Sequence, residues 1–192
     1  YYNSPARGRF DMGWALSPSL GDLAPSVVHW YYDAASNGLG RDFFVSGPSG
    51  MGYMYPSRYP AAELDLHVQR LNRLAGFADL GIVQVLDFSA FNRADLWSKY
   101  LAQPNLDALI YLEYSRYDSP GGAVLWCNGK PILSPRKMLW SGLCGADEAS
   151  VTSALNSAAR DPYSAAGYSL VMVHVWSKTL SNVLTVVNGL WT

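Results

Sequence analysis

Two segments, 81–88 and 107–114, constrain the fold of this chain more than any others. The first reads Gly-Ile-Val-Gln-Val-Leu-Asp-Phe and the second Asp-Ala-Leu-Ile-Tyr-Leu-Glu-Tyr. Both are apolar at odd and even positions alike, so each strand must be covered on both faces. Between them, residues 93–102 place Ala94, Trp97 and Leu101 on one helical face. Two-sided strands separated by an amphipathic helix are the pattern of a parallel sheet covered by helices.

The same alternation runs along the chain. Residues 10–16 read as a strand that stops at Ser17-Pro18. Asp22 is placed to cap a helix with Pro25 in its first turn and Leu23, Val27, Trp30, Tyr31 and Ala34 on its inward face. Residues 42–47 form a short apolar strand, 47–60 a loop rich in Gly, Pro and Tyr, and 61–76 a helix with Leu64, Val68, Leu71 and Ala75 inward. Segments 123–127 and 131–133 flank Asn128-Gly129, which supplies the positive φ angles of a type I′ hairpin turn. Asp147 caps a helix through 159, residues 168–176 read as a buried strand, and a last helix starts near Thr179. The sum is a single α/β domain of five strand–helix units with one inserted β-hairpin. A complete eight-unit barrel runs to about 250 residues. At 192 residues, the expectation is an open five-stranded sheet or an incomplete, irregular α/β barrel. In either case ligands belong at the carboxyl ends of the strands.

Composition removes several classes of function. Fourteen basic and 15 acidic side chains give a net charge of −1, whereas a nucleic-acid surface must be basic. Half the chain is apolar and little of it is charged, which excludes disorder. No apolar run approaches the roughly 18 residues of a membrane span. Cys127 and Cys144 flank the hairpin region. In a secreted protein they would form a local disulfide; two free buried thiols are the alternative. The chain opens at Tyr1 without Met or a leader pattern, so a trimmed product or a piece of something longer is expected.

The loops after the strands carry a polar, aromatic set: Asp87, Glu113, Asp118 and His174, with Trp14, Ser49, Tyr53, Tyr55, Tyr114, Tyr117 and Trp176. The Gly-rich loop fits neither a phosphate-binding loop nor a dinucleotide fingerprint. A nucleophile elbow also fails, because Met51 stands where its second glycine belongs. This disfavours a Ser49–His174–Asp87 hydrolase. A metal site built from His174, Asp87 and Glu113 has no supporting spacing, and neither metal nor cofactor is expected. His29 and His67 lie within helices and read as surface or packing residues.

Gly50-Met-Gly-Tyr-Met-Tyr-Pro56 matches, position for position, the signature of the GxGYxYP putative glycoside hydrolase family. Further blocks resemble its C-terminal domain in order: Trp14-Ala-Leu-Ser-Pro18, Phe44-Val-Ser-Gly-Pro-Ser-Gly50, Asn128-Gly-Lys-Pro131 and Val173-His-Val-Trp-Ser177. The resemblance implies a barrel-like α/β domain forming the C-terminal part of a longer protein, and a carbohydrate partner. Glycoside hydrolysis needs two carboxyl groups across the scissile bond, and Asp87 and Glu113 are the expected pair, with Asp118 and His174 beside them. Trp14, Tyr53, Tyr55, Tyr117 and Trp176 are the expected stacking platforms, with Ser49 on the same loop, since an aromatic face suits the apolar face of a sugar. A secreted or extracellular setting follows, with room for a homo-oligomer. The alternative is a non-catalytic glycan-binding or self-assembling surface protein.

Overall fold

The structure is a computed structural model that describes residues 1–191. It is a mixed α/β fold with a mostly parallel sheet and six α-helices. In chain order the elements are β1 (Met12–Leu16), α1 (Leu20–Leu23), α2 (Pro25–Ser36), β2 (Asp42–Ser46), α3 (Ala61–Ala78), β3 (Ile82–Asp87), α4 (Ala94–Leu101), β4 (Ala108–Glu113), β5 (Val124–Cys127), β6 (Lys130–Leu133), β7 (Lys137–Leu139), α5 (Glu148–Asn156), β8 (Val171–Val173) and α6 (Leu180–Asn188). The main sheet has the order β1-β2-β3-β4-β6-β5. All neighbours are parallel except the β5–β6 hairpin, which turns at Asn128 and Gly129 with φ of 52° and 73°. β7 and β8 form a separate parallel pair.

The core follows from strand parity. Val83 and Val85 of β3, with Leu109 and Tyr111 of β4, pack under Leu64, Val68 and Leu71 of α3 and Trp97 and Tyr100 of α4. The Trp97 indole is fully buried, and its N–H donates to the carbonyls of Ala90 and Phe91. Leu86, Ile110 and Leu112 face the other way and meet Leu170 and Met172 around β8. The sheet therefore wraps toward β8, but no strand pairing joins β8 to β1 among the described residues. Leu180, Val183, Leu184 and Val187 of α6 instead pack against Phe10, Met12 and Trp14. Among the described residues the strands therefore do not close into the expected barrel.

Several expectations are corrected. Leu23 is 81% exposed and Trp30 half exposed, while Val28 and Tyr31 are the α2 residues that turn inward. Residues 168–176 are not one buried strand: only Val171–Val173 pair, at half burial, and Tyr168 and Trp176 are exposed. The strand Lys137–Leu139 spans only three residues, too few for a periodic pattern to mark it in the sequence. Cys127 and Cys144 are free thiols. The first packs against the main core and the second lies in the separate cluster of β7, α5 and α6, which leaves them without a common contact. Among the described residues no helix is long and apolar enough to cross a membrane.

Candidate functional site

A chain of aromatic rings crosses the carboxyl ends of the strands. Tyr55, from the loop after β2, packs on Phe88 after β3 at 5.1 Å between ring centroids. Phe88 meets Tyr114 after β4 at 4.7 Å, and Tyr114 meets Tyr117 at 6.2 Å. Tyr117 meets Trp140 after β7 at 5.9 Å. Trp140 stacks on His174 after β8 at 4.0 Å with 7° between planes, and His174 meets the edge of Trp176 at 5.6 Å. Tyr53 is 64% exposed and Trp176 90% exposed. Desolvation pushes the Tyr117 hydroxyl well above the ordinary tyrosine range, and its neighbour Tyr53 adds to the shift. The Tyr55 hydroxyl is raised first by desolvation and then by Tyr114. At neutral pH these hydroxyls are therefore protonated, able both to donate and to accept.

The glycine-rich loop reaches the rim through a specific set of bonds. β2 and β3 pair only at Ser46 and Val83. Beyond that point Ser49, at φ 52°, replaces the strand: its N–H donates to the Gln84 carbonyl, and its hydroxyl accepts from the Leu86 N–H and donates to the Met54 carbonyl. The Ser49 carbonyl meets His67 Nε2 at 2.9 Å. Gly50 has φ 95°, and a Cβ there would lie 2.5 Å from Leu71 Cδ2, so close seating of the loop on α3 demands glycine. Pro56 then opens a short 3₁₀ turn over Pro56–Arg58, the second position of which is tied to Asp87.

The strand-end carboxylates stitch neighbouring loops together. Asp87 and Glu113 are paired in register on β3 and β4. They share the parity of Val85 and Tyr111, the helix-facing side. Asp87 has no exposed surface; its carboxylate accepts from the Ser57 N–H at 2.7 Å, the Ser57 hydroxyl at 2.5 Å and the Phe88 N–H at 2.7 Å. Glu113 accepts from the Ser89 N–H at 2.7 Å, the Tyr111 hydroxyl at 2.8 Å and the Ser115 hydroxyl at 3.0 Å. Each carboxylate thus holds an N–H from the loop that follows the preceding strand. Asp118 is buried and pairs with Arg116 at 3.1 Å. His174 Nδ1 lies 2.7 Å from the Ser177 hydroxyl.

The structure brings together Tyr53, Tyr55, Tyr117, His174 and Trp176, with Asp87 and Glu113 beneath them. It does not bring Trp14 to the rim. The Trp14 indole N–H donates to Asp42, and the ring packs against Tyr2 and α6, because its parity on β1 turns it to the helix side. Ser49 is fully buried and spent on β3, so it presents no hydroxyl to a ligand. Ser49, His174 and Asp87 each bond elsewhere and form no triad. Among the described residues no group of three His, Cys, Asp or Glu is placed to hold a metal ion. Phe88 and Trp140 belong to the site but were missed. Phe88 directly follows a strand end, and Trp140 directly follows the apolar Met138-Leu139, which is the signal that marks each.

The family described as GxGYxYP putative glycoside hydrolase C-terminal domain matches residues 1–191. A solved structure described as a putative hydrolase from Bacteroides thetaiotaomicron VPI-5482 superposes with a TM-score of 0.90 at 37% sequence identity. The match covers 100% of this chain and 37% of that one, so the chain spans little more than a third of that protein's length. Comparison with curated proteins finds no match.

Proposed function

The chain belongs to the GxGYxYP putative glycoside hydrolase family, and from that premise we propose that it is the carbohydrate-facing domain of a hydrolase acting on poly- or oligosaccharide. The observation that carries the proposal is the ribbon of rings from Tyr55 to Trp176 along the carboxyl ends of β2, β3, β4, β7 and β8. Carbohydrate C–H faces stack on such rings, and protonated tyrosine hydroxyls bond the equatorial hydroxyls. In this reading Tyr53 and Trp176, the most exposed members, meet the sugar first. Glu113 is assigned to the chemistry, since its Oε1 is held only from Ser115 on its own loop. Asp87 holds the loop beneath, and His174 and Asp118 flank the rings. An extracellular setting, where such polymers occur, belongs to the same proposal.

A second reading, glycan binding without hydrolysis, is favoured by one observation. Asp87, Glu113 and Asp118 are all buried and already bonded within the chain, whereas a glycosidase needs two carboxyl groups that reach the bond. A panel of oligosaccharides, read for both binding and reducing-end release, separates the two. Hydrolysis that Glu113→Gln abolishes while binding survives supports the hydrolase. Binding without release, lost in Trp176→Ala, supports the second reading. No binding to any neutral glycan refutes both.

A further inference from the structure

We propose that the groove between α5 and α6 is a second glycan-binding site, for a neutral oligosaccharide, remote in sequence and lining from the rim. The inference rests on the carbohydrate reading above. The groove encloses about 620 Å³ and is walled by Asp147, Glu148, Thr152, Asn156, Thr185 and Trp191. It shares no residue with the aromatic ribbon. A cavity of this size fits the range of small-molecule sites.

Its construction favours a polyhydroxylated ligand. Trp191 is 70% exposed, and the backbone that carries it is tied to α5 by one amide. Asn156 accepts from the Trp191 backbone N–H at 3.0 Å and donates to the Gly189 carbonyl at 3.0 Å. The Arg160 guanidinium lies over the Trp191 ring at 5.8 Å from its centroid, and the residue stays largely exposed. Asp147 and Glu148 line the same groove. Ser150 holds the Asp147 carboxyl below the usual range through its backbone and side chain, and Lys178 does the same for Glu148. Both are ionised at neutral pH, supplying acceptors for sugar hydroxyls. The hydroxyls of Thr152 and Thr185 donate to the Glu148 and Ser181 carbonyls and keep lone pairs for a further donor. An exposed indole beside carboxylates, hydroxyls and an amide suits a sugar.

Calorimetric titration of the chain with neutral hexasaccharides tests this. The expected result is two sites per chain, of which Trp191→Ala weakens one by about three- to tenfold and leaves the other unchanged. Ser153→Tyr, which fills the groove without touching the Trp191 anchor, should abolish the same site. Trp176→Ala should affect only the other. A single site lost in Trp176→Ala and indifferent to Trp191→Ala and Ser153→Tyr overturns the groove and leaves the rim reading standing. A single site lost in Trp191→Ala overturns the rim and keeps the groove. No binding to the wild-type chain overturns both.

Discussion

Asp87→Asn should destabilise the protein and loosen its rim, even though the change is isosteric. The carboxylate accepts three short hydrogen bonds and has no cationic partner among the described residues. An asparagine offers one carbonyl oxygen. If that oxygen keeps the Ser57 hydroxyl and the Phe88 N–H, the new NH₂ faces the Ser57 N–H, donor against donor. Leaving one buried donor unsatisfied costs about 1–3 kcal/mol. The two surviving bonds weaken from charge-assisted to neutral, while loss of a buried charge returns part of the desolvation penalty. The net is roughly 2 kcal/mol, and in a domain of this size each kcal/mol lowers Tm by about 2–4 °C. Thermal denaturation should therefore show a fall of about 4–8 °C. Amide exchange should quicken in residues 47–60, and the near-ultraviolet dichroism of the tyrosine cluster should weaken. A variant with unchanged Tm and unchanged exchange that nonetheless loses all sugar hydrolysis would refute this reasoning and return Asp87 to the chemistry.

Within the signature the two glycines should behave oppositely. Gly50→Ala places a Cβ against Leu71 at positive φ and should cost about 2–4 kcal/mol; Gly52→Ala meets nothing within 4 Å and should stay within about 0.5 kcal/mol, both read by urea denaturation. Reductant should leave Tm unchanged because the thiols are free. Cys127 should react with a disulfide reagent before Cys144, whose thiol is buried and pushed up by desolvation. In alkaline titration at 295 nm Tyr32, pushed up to about 12 by burial, should ionise late, as should Tyr100, Tyr111 and Tyr117. Their raised values stabilise the fold fully below about pH 10, the unfolded tyrosine value. That stabilisation fades as pH rises toward the folded values, so unfolding should accompany the late phase. Fully reversible ionisation of all 13 tyrosines near pH 10 would contradict it.

The strands were legible because two-sided burial leaves a compositional mark. Segment 81–88 shrank only to Ile82–Asp87 and 107–114 to Ala108–Glu113. The Asn128-Gly129 turn was legible because its φ requirement names its residues. The ring faces were less so. Trp14 and Trp176 look alike in sequence, each in an apolar stretch before Ser. One is held by Asp42 on the helix side and the other stands in solvent. Nothing local to Trp14 says that its face of β1 is covered, because that depends on α6 packing beside β1, and nothing local to Trp176 says that its strand has ended at Val173.

Parity also explains how the carboxylates sit in space. Asp87 is two residues beyond Val85, and Glu113 two beyond Tyr111, so both continue the helix-facing rows of β3 and β4. A carboxylate on that side at a strand end lies within reach of the loop that follows the neighbouring strand. There its cheapest partners are backbone N–H groups. Ser57 on the loop after β2 bonds Asp87 of β3, and Ser89 on the loop after β3 bonds Glu113 of β4. The two stitches tie three consecutive strands into one rim, and Tyr55, Phe88 and Tyr114 are the rings those loops carry. The signature and the serine that follows it thus encode placement: Gly50 seats the loop, Pro56 turns it, Ser57 ties it down, and the tyrosines between are what it presents. It follows that Ser57→Ala, which removes one bond to Asp87 and leaves every carboxylate in place, should disturb sugar binding in the same direction as Asp87→Asn, only less. A purely chemical role for Asp87 would leave Ser57→Ala silent.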